Sequence, residues 1–246
     1  MKTLQLLSDL HLEMHRDGGD AFIRSLDPSG VDILVLAGDI SSASRLVPVL
    51  NRFCERFPHV VYVTGNHEFY GSSVDQVLRD LAAVKASNFT WLNNKLAVVD
   101  GVRFVGGTLW FPKAPPPVHA NRHNINDFNL IQGFEPWVYE EHQKCVAVLQ
   151  ALAHTVDVVV THHVPTTACA ATRFGTALNH FFIHDMTELI EKAQPPLWLF
   201  GHTHDQWETT LGATRLAASP LGYPHEQGDP QRGHYIERRL FKVEPR

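Results

Sequence analysis

Five short apolar runs in this chain stop abruptly at aspartate, asparagine or histidine: TLQLLSD at 3–9, VDILVLAGD at 31–39, HVVYVTGN at 59–66, VDVVVTHH at 156–163 and LWLFGHTH at 197–204. Runs this short and this rich in Val, Leu and Ile predict strands buried on both faces, as in a largely parallel sheet covered by helices. In such α/β folds the carboxyl ends of the strands form the edge where sites are assembled. The pattern therefore predicts an α/β chain and directs Asp9, His11, Asp39, Asn66, His67, His162, His163, His202 and His204 toward one cleft.

The segments between the runs fit that frame. SRLVPVLNRFCERF places Leu46, Val49, Leu50, Phe53 and Phe57 at helical spacing, with Pro48 expected in the first turn or at a kink. SSVDQVLRDLAAV aligns Val74, Val77, Leu78, Leu81 and Val84 on one face, behind a capping signature at Ser73 and Gln76. KLAVVDGVRFVGG reads as a hairpin turning at Asp100-Gly101. Further helices are expected at about 135–154 and near 183–193, and further strands near 214–218 and 234–243. Residues 110–135, dense in Pro, His and Asn, lack periodicity and read as an irregular, lid-like insertion.

A chain of 246 residues, 44% hydrophobic and 19% charged, suits one domain over 1–246 with a substantial core. A net charge of −5 gives no basic field, which argues against general binding to nucleic acid or an anionic membrane. Cys54, Cys145 and Cys169 are odd in number and in no CxxC pattern, so neither a disulfide framework nor a thiolate zinc site is expected. Asp9 interrupts the N-terminus before a signal-peptide core accumulates, and no run approaches the roughly 20 apolar residues of a membrane span. A cytoplasmic location is the expectation.

Without a GxSxG elbow or a thiolate cluster, a nucleophile supplied by the protein is not indicated. Two aspartates, an asparagine and at least four histidines suit divalent or trivalent Mn, Fe, Zn, Co or Ni, and they exceed what one four-coordinate ion uses. Two transition-metal ions bridged by a carboxylate, about 3.5–4 Å apart, would attract an anionic phosphate ester and generate a hydroxide nucleophile near neutral pH. Each motif alone has a plainer reading: Asp9 or Asp39 as a cap, and Gly65-Asn66 as a tight turn that uses positive φ.

Together, and in order, Asp9-Leu10-His11, Gly38-Asp39, Gly65-Asn66-His67-Glu68, Thr161-His162-His163 and Gly201-His202-Thr203-His204 resemble the motif set of calcineurin-like metallophosphoesterases. The resemblance spans residues 9–204. It implies a layered metallophosphoesterase fold, two packed β-sheets flanked by helices, with a dinuclear metal site at the carboxyl edge of the strands. It also implies that Asp9, His11 and His204 hold one metal and that Asp39 bridges. Asn66, His202 and one histidine of the 162/163 pair, His162 being preferred as the first after the strand, would hold the other. His67 resembles the family's histidine that contacts the phosphate and protonates the leaving oxygen, a task that suits an imidazole. Glu68 or Asp205 would accept hydrogen bonds from metal-bound histidines.

The activity implied is hydrolysis of a phosphomonoester or phosphodiester through a metal-bridging hydroxide, with His67 as general acid. Protein serine/threonine phosphatases of this family carry arginines beside two of these motifs. This chain has ISSAS after Asp39 and Thr64 before Gly65, which favours a small-molecule or nucleotide substrate over a phosphoprotein. Alternatives are a non-catalytic scaffold, disfavoured by the complete motif set, and a metal-dependent nuclease, disfavoured by the absence of a basic signature. Arg122, His123, Asn124, Arg173, Tyr223 and His225 are candidate substrate contacts whose ordinary reading is a solvated loop. His15, His59, His119, His142, His154, His180, His184 and His234 read as surface or locally bonded residues.

Overall fold

All five apolar runs are strands in the computed structural model, which describes residues 1–170, 178–229, 235–236 and 238–246. Strands β1 (Lys2–Leu7), β2 (Ile33–Ala37), β3 (Val60–Val63) and β4 (Phe89–Trp91) are mutually parallel. A second sheet holds β5 (Lys95–Val99), β6 (Val102–Gly107), β7 (Val158–Thr161), β8 (Leu197–Phe200), β9 (Trp207–Leu211) and β10 (Thr214–Ala218). The chain then returns to the first sheet, where β11 (Leu240–Val243) pairs antiparallel to β1. The spatial orders are β11-β1-β2-β3-β4 and β5-β6-β7-β8-β10-β9.

Each central strand is buried on both faces, which is why the runs are continuously apolar rather than alternating. Ile33, Val35 and Ala37 of β2 pack with Leu4, Leu6, Val61 and Val63 against Phe104, Val158, Val160, Leu197 and Leu199 of the other sheet. Leu34 and Leu36 point the opposite way, onto helices α2 (Ala43–Arg56) and α3 (Val74–Ala82), which follow the short α1 (Asp20–Ser25). Two small helices, α4 (Pro116–His119) and α5 (Asn126–Leu130), precede α6 (Phe134–Leu152) and α7 (Thr187–Ala193). Cys145 and Leu149 of α6 and Ile190 of α7 cover Val105, Val159, Trp198 and Phe200 on the outer face of the second sheet. The result is two mixed sheets packed face to face between helical layers, with each fully buried aliphatic side chain contributing about 1.5–3 kcal/mol.

The hairpin turn is as expected: Val99 pairs with Val102, and Asp100 and Gly101 adopt φ of 48° and 84°, as a two-residue type I′ turn requires. Ser73 caps α3 by accepting from Gln76 N at 3.3 Å. Of the two places expected for Pro48, the first turn is not the one it takes: it lies inside α2 and leaves the Ser44 carbonyl without its intrahelical donor. Three points differ from the sequence reading. The segment 110–135 is not structureless, since it contains α4, a 3₁₀ turn at Ala120–Asn124 and α5. β4, the half-exposed β9 and α1 carry too little apolar pattern to be read locally. The strand expected over 234–243 forms at Leu240–Val243, and residues 234 and 237 lie outside the described residues. The cysteines are free, and among the described residues no helix is long and apolar enough to cross a membrane.

Candidate metal centre

The polar clusters follow the carboxyl ends of β1, β2 and β3 in one sheet and of β7 and β8 in the other. Packing the sheets face to face brings these ends together. Asp9, His11, Asp39 and His204 each place a donor atom within 4.8 Å of the others, and Asp39, His162 and His202 form a second group by the same measure. Asp39 belongs to both: its Oδ2 lies 3.8 Å from His11 Nε2 and its Oδ1 lies 3.5 Å from His162 Nε2. His204 Nε2 is 2.9 Å from His11 Nε2 and 3.7 Å from Asp9 Oδ1. On the other side His202 Nδ1 is 3.1 Å from His162 Nε2, and the Asn66 amide oxygen is 3.2 Å from that nitrogen.

This donor set fits cations. Imidazole nitrogens converge on one another and on carboxylate oxygens, and Asp9 Oδ2 and His202 Nε2 are buried with no hydrogen-bond partner. Neutral imidazole and carboxylate donors of this kind are ligands for transition metals. The field points the same way. Burial opposes a charge on His162, yet Asp39 and Asp9 outweigh it and raise its pKa to about 10. His202 behaves oppositely, its pKa held well below the usual range by burial and by His163 and His162.

The backbone is bent to achieve this convergence. Asp9, His11, Asp39, His202 and His204 have φ of 49°, 45°, 55°, 80° and 55°, in the left-handed region that residues with a Cβ rarely adopt. Such conformations cost about 1–3 kcal/mol each and persist where surrounding contacts enforce them. Here Asp9 N and His11 N donate to the Gly38 and Asp39 carbonyls, each at 3.0 Å, which ties the first motif to the second. Gly65 serves differently from the turn residue expected. Neither it nor Asn66 has positive φ, but a Cβ at Gly65 would meet Asp39 Oδ1 at 2.2 Å and His162 Cε1 at 2.8 Å. That glycine is needed for space.

Glu68, expected to back a metal-bound histidine, instead anchors the loops by accepting from the main-chain N–H groups of Asp39, Ile40 and Gly65 at 3.1, 2.8 and 2.8 Å. Burial and the Asp39 charge push its pKa to about 8 against those bonds. Three other acceptors serve the histidines: Glu226 for His204 Nδ1 at 2.6 Å, the Ala37 carbonyl for His162 Nδ1 at 2.9 Å, and Glu13 for His11 Nδ1 at 3.4 Å. Glu13 also accepts from His67 Nδ1 at 3.2 Å. Burial alone would raise the Glu13 pKa, but these two histidines bring it down to about 2. Glu13, Glu226, Tyr70 and Asp127 carry no sequence signal of their own, because no spacing joins them to the motifs. The nearest signal was Glu13, two residues after His11.

His163 belongs to neither donor group: its Nδ1 lies 3.1 Å from the Thr108 carbonyl, and its ring packs between Trp110 and His202. His67 faces a cavity of about 240 Å³ whose walls include Tyr70, Asn124, Asp127, Phe182 and Tyr223. Its Nε2 meets the Tyr223 hydroxyl at 3.0 Å. His225 stacks on Tyr223, while Arg122 and His123 bond the carbonyls of His119 and Ala120. Arg173 lies outside the described residues.

A sequence model described as calcineurin-like phosphoesterase matches residues 3–206. An uncharacterized protein of Acanthamoeba polyphaga mimivirus is 26% identical across 96% of this chain and 97% of its own. Among solved structures, the phosphopantetheinyl hydrolase of Mycobacterium tuberculosis superposes with a TM-score of 0.80 at 18% identity, covering 99% of this chain and 97% of that one. A dimetal phosphatase from Danio rerio gives 0.56 at 17% identity, covering 95% and 90%. At these identities the structural likeness is one of fold.

Proposed function

The chain belongs to the calcineurin-like phosphoesterase family, and from that membership we propose that it is a metal-dependent phosphoesterase acting on a small phosphomonoester or phosphodiester. The observation that carries this reading is Asp39, whose two oxygens face two separate groups of donors. In it, Asp9, His11 and His204 would hold one transition-metal ion, Asn66, His162 and His202 would hold the other, and Asp39 would serve both. When bound, the ions would supply a water-derived nucleophile at neutral pH and positive charge for the phosphate oxygens.

The remaining chemistry falls to the chain's own side chains. The Glu13 carboxylate only accepts, so His67 Nδ1 carries a hydrogen toward it and Nε2 is left to face the cavity. Nε2 is therefore the atom that passes a proton to the leaving oxygen. Ile125, Phe181, Phe182 and Tyr223 give the cavity an apolar and aromatic wall suited to the organic part of a small ester. A cavity of about 240 Å³ suits a small molecule or nucleotide better than a protein chain. Because the mycobacterial structural relative is named for hydrolysing a phosphopantetheinyl group, a phosphodiester of that class belongs among the first substrates to assay. We read residues 1–246 as one working domain, and the free cysteines suit a reducing, cytoplasmic compartment.

Elemental analysis of the purified protein, with assays on bis-p-nitrophenyl phosphate and p-nitrophenyl phosphate, tests the proposal. Two transition-metal ions per chain and turnover abolished by chelation are expected. A chain that binds no metal stoichiometrically, or a His67→Ala variant with unimpaired turnover, would overturn it.

A further inference from the structure

Asp127 sits in α5, within the segment that the sequence presents as an irregular insertion, yet it is only 3% exposed. A buried carboxyl group needs hydrogen-bond partners. Its Oδ1 accepts from the Asn66 amide Nδ2 at 2.9 Å, across 61 residues of chain, and from the Tyr70 hydroxyl at 2.7 Å. The Tyr70 oxygen in turn accepts from the same Nδ2 at 3.0 Å. The Asn66 amide nitrogen is thus turned toward the Asp127–Tyr70 pair. The planar amide must then present its oxygen to the opposite side, where it lies 3.2 Å from His162 Nε2.

We propose that Asp127, assisted by Tyr70, is a positioning residue that fixes the Asn66 amide with its oxygen toward the His162/His202 half of the metal centre. The inference rests on the reading of Asn66 as a metal ligand. Its content is chemical: an amide turned over would point N–H donors at the cation and set its carbonyl against the Asp127 carboxylate. An asparagine ligand is neutral and has one useful oxygen, so orientation decides whether it binds at all. The segment 110–135 thereby contributes to metal binding without supplying a ligand. Partners that orient a ligand typically alter metal affinity 10–100-fold when removed.

The test compares the full-length protein with Asp127→Asn, Tyr70→Phe and the double variant Asn66→Asp, Asp127→Asn. Mn²⁺ affinity and stoichiometry are measured by calorimetry and elemental analysis, beside thermal melting. An amide at position 127 no longer dictates which way Asn66 turns. Asp127→Asn should therefore keep one ion at wild-type affinity and bind the other 10–100-fold more weakly. Tyr70→Phe, which leaves the carboxylate in place, should weaken the same ion by less. The double variant should regain it, because a carboxylate at position 66 presents an oxygen in either orientation. Unchanged affinities in Asp127→Asn would overturn the inference, as would equal loss of both ions without rescue, the mark of a general structural role. Fewer than two ions in the wild-type protein would instead overturn the metal reading on which it rests.

Discussion

The Tyr223 hydroxyl stands 3.0 Å from His67 Nε2, joining two residues 156 positions apart. The Tyr223 ring also lies against His11 and His204, with centroids 4.3 and 4.6 Å apart. His67 is therefore held at both nitrogens, by Glu13 at Nδ1 and by Tyr223 at Nε2. If Nε2 delivers the proton, the leaving oxygen must take the position of the Tyr223 hydroxyl or receive the proton through it. His67→Asn should lower kcat by about 10²–10⁴ with metal content unchanged. Tyr223→Phe removes one hydrogen bond worth about 1 kcal/mol and should lower kcat about tenfold or less. Equal losses in both variants would mean that the proton reaches the leaving oxygen through the Tyr223 hydroxyl. Steady-state kinetics with elemental analysis decides.

Removing metal should destabilise the fold, because the carboxylates and imidazoles that converge near Asp39 would lose the cations that offset their crowding. An ion present at 100 times its Kd contributes about 2.7 kcal/mol. For a chain of this size each kcal/mol moves the melting temperature by about 2–4 °C. Chelation should therefore lower Tm by about 5–10 °C per ion lost, reversibly on adding Mn²⁺ or Zn²⁺. An unchanged Tm in scanning calorimetry would count against metal binding to the folded protein.

Two glycines separate crowding from backbone strain. Gly65→Ala would drive a Cβ against Asp39 Oδ1 and His162 Cε1, moving donors from both groups. Overpacking of this kind costs about 1–3 kcal/mol, and metal affinity should fall with it. Gly101→Ala in the β5–β6 turn keeps a φ of 84° unfavourable but meets nothing within 4 Å. It should cost about 1 kcal/mol and leave metal content intact. Denaturant unfolding and elemental analysis on both variants would expose a mistaken assignment if Gly65→Ala kept its metal.

The donors were legible because each follows a strand whose apolar run is visible in a short window, as Leu199 and Phe200 announce His202. The supporting residues were not. Asp127 meets Asn66 only through the path of the segment 110–135, and Glu226 reaches His204 from a loop after β10. Local periodicity carries no information about such long-range pairs. Glu68 is legible as a supporting residue from its place in the motif, but its bonds go to main-chain N–H groups that no side-chain pattern reveals. The fold shows the same division: β2 and β8 are buried on both faces and plain in sequence, while β4 spans only Phe89–Trp91 and β9 is half-exposed.

Outside the donor groups, His142 on α6 makes stability depend on pH. It is 5% exposed, its Nδ1 donates to the Trp110 carbonyl at 2.5 Å, and its ring meets His184 edge-on at 4.3 Å. Burial, then the proximity of His184 and His180, brings its pKa from 6.5 to about 4, against the bond to Trp110. Between those values the unfolded chain binds the proton and the folded chain does not, so stability falls as pH drops from about 6.5 toward 4. The slope from this group is at most about 1.4 kcal/mol per pH unit. His184, also held below its usual value by burial, acts in the same direction. Urea unfolding of the chelated protein, which removes metal release from the comparison, should show this loss between pH 7 and 5. His142→Leu gives up a hydrogen bond worth about 1 kcal/mol at pH 7 and should show a shallower decline. If the variant's stability falls with pH as steeply as the wild type's, the acid sensitivity originates elsewhere.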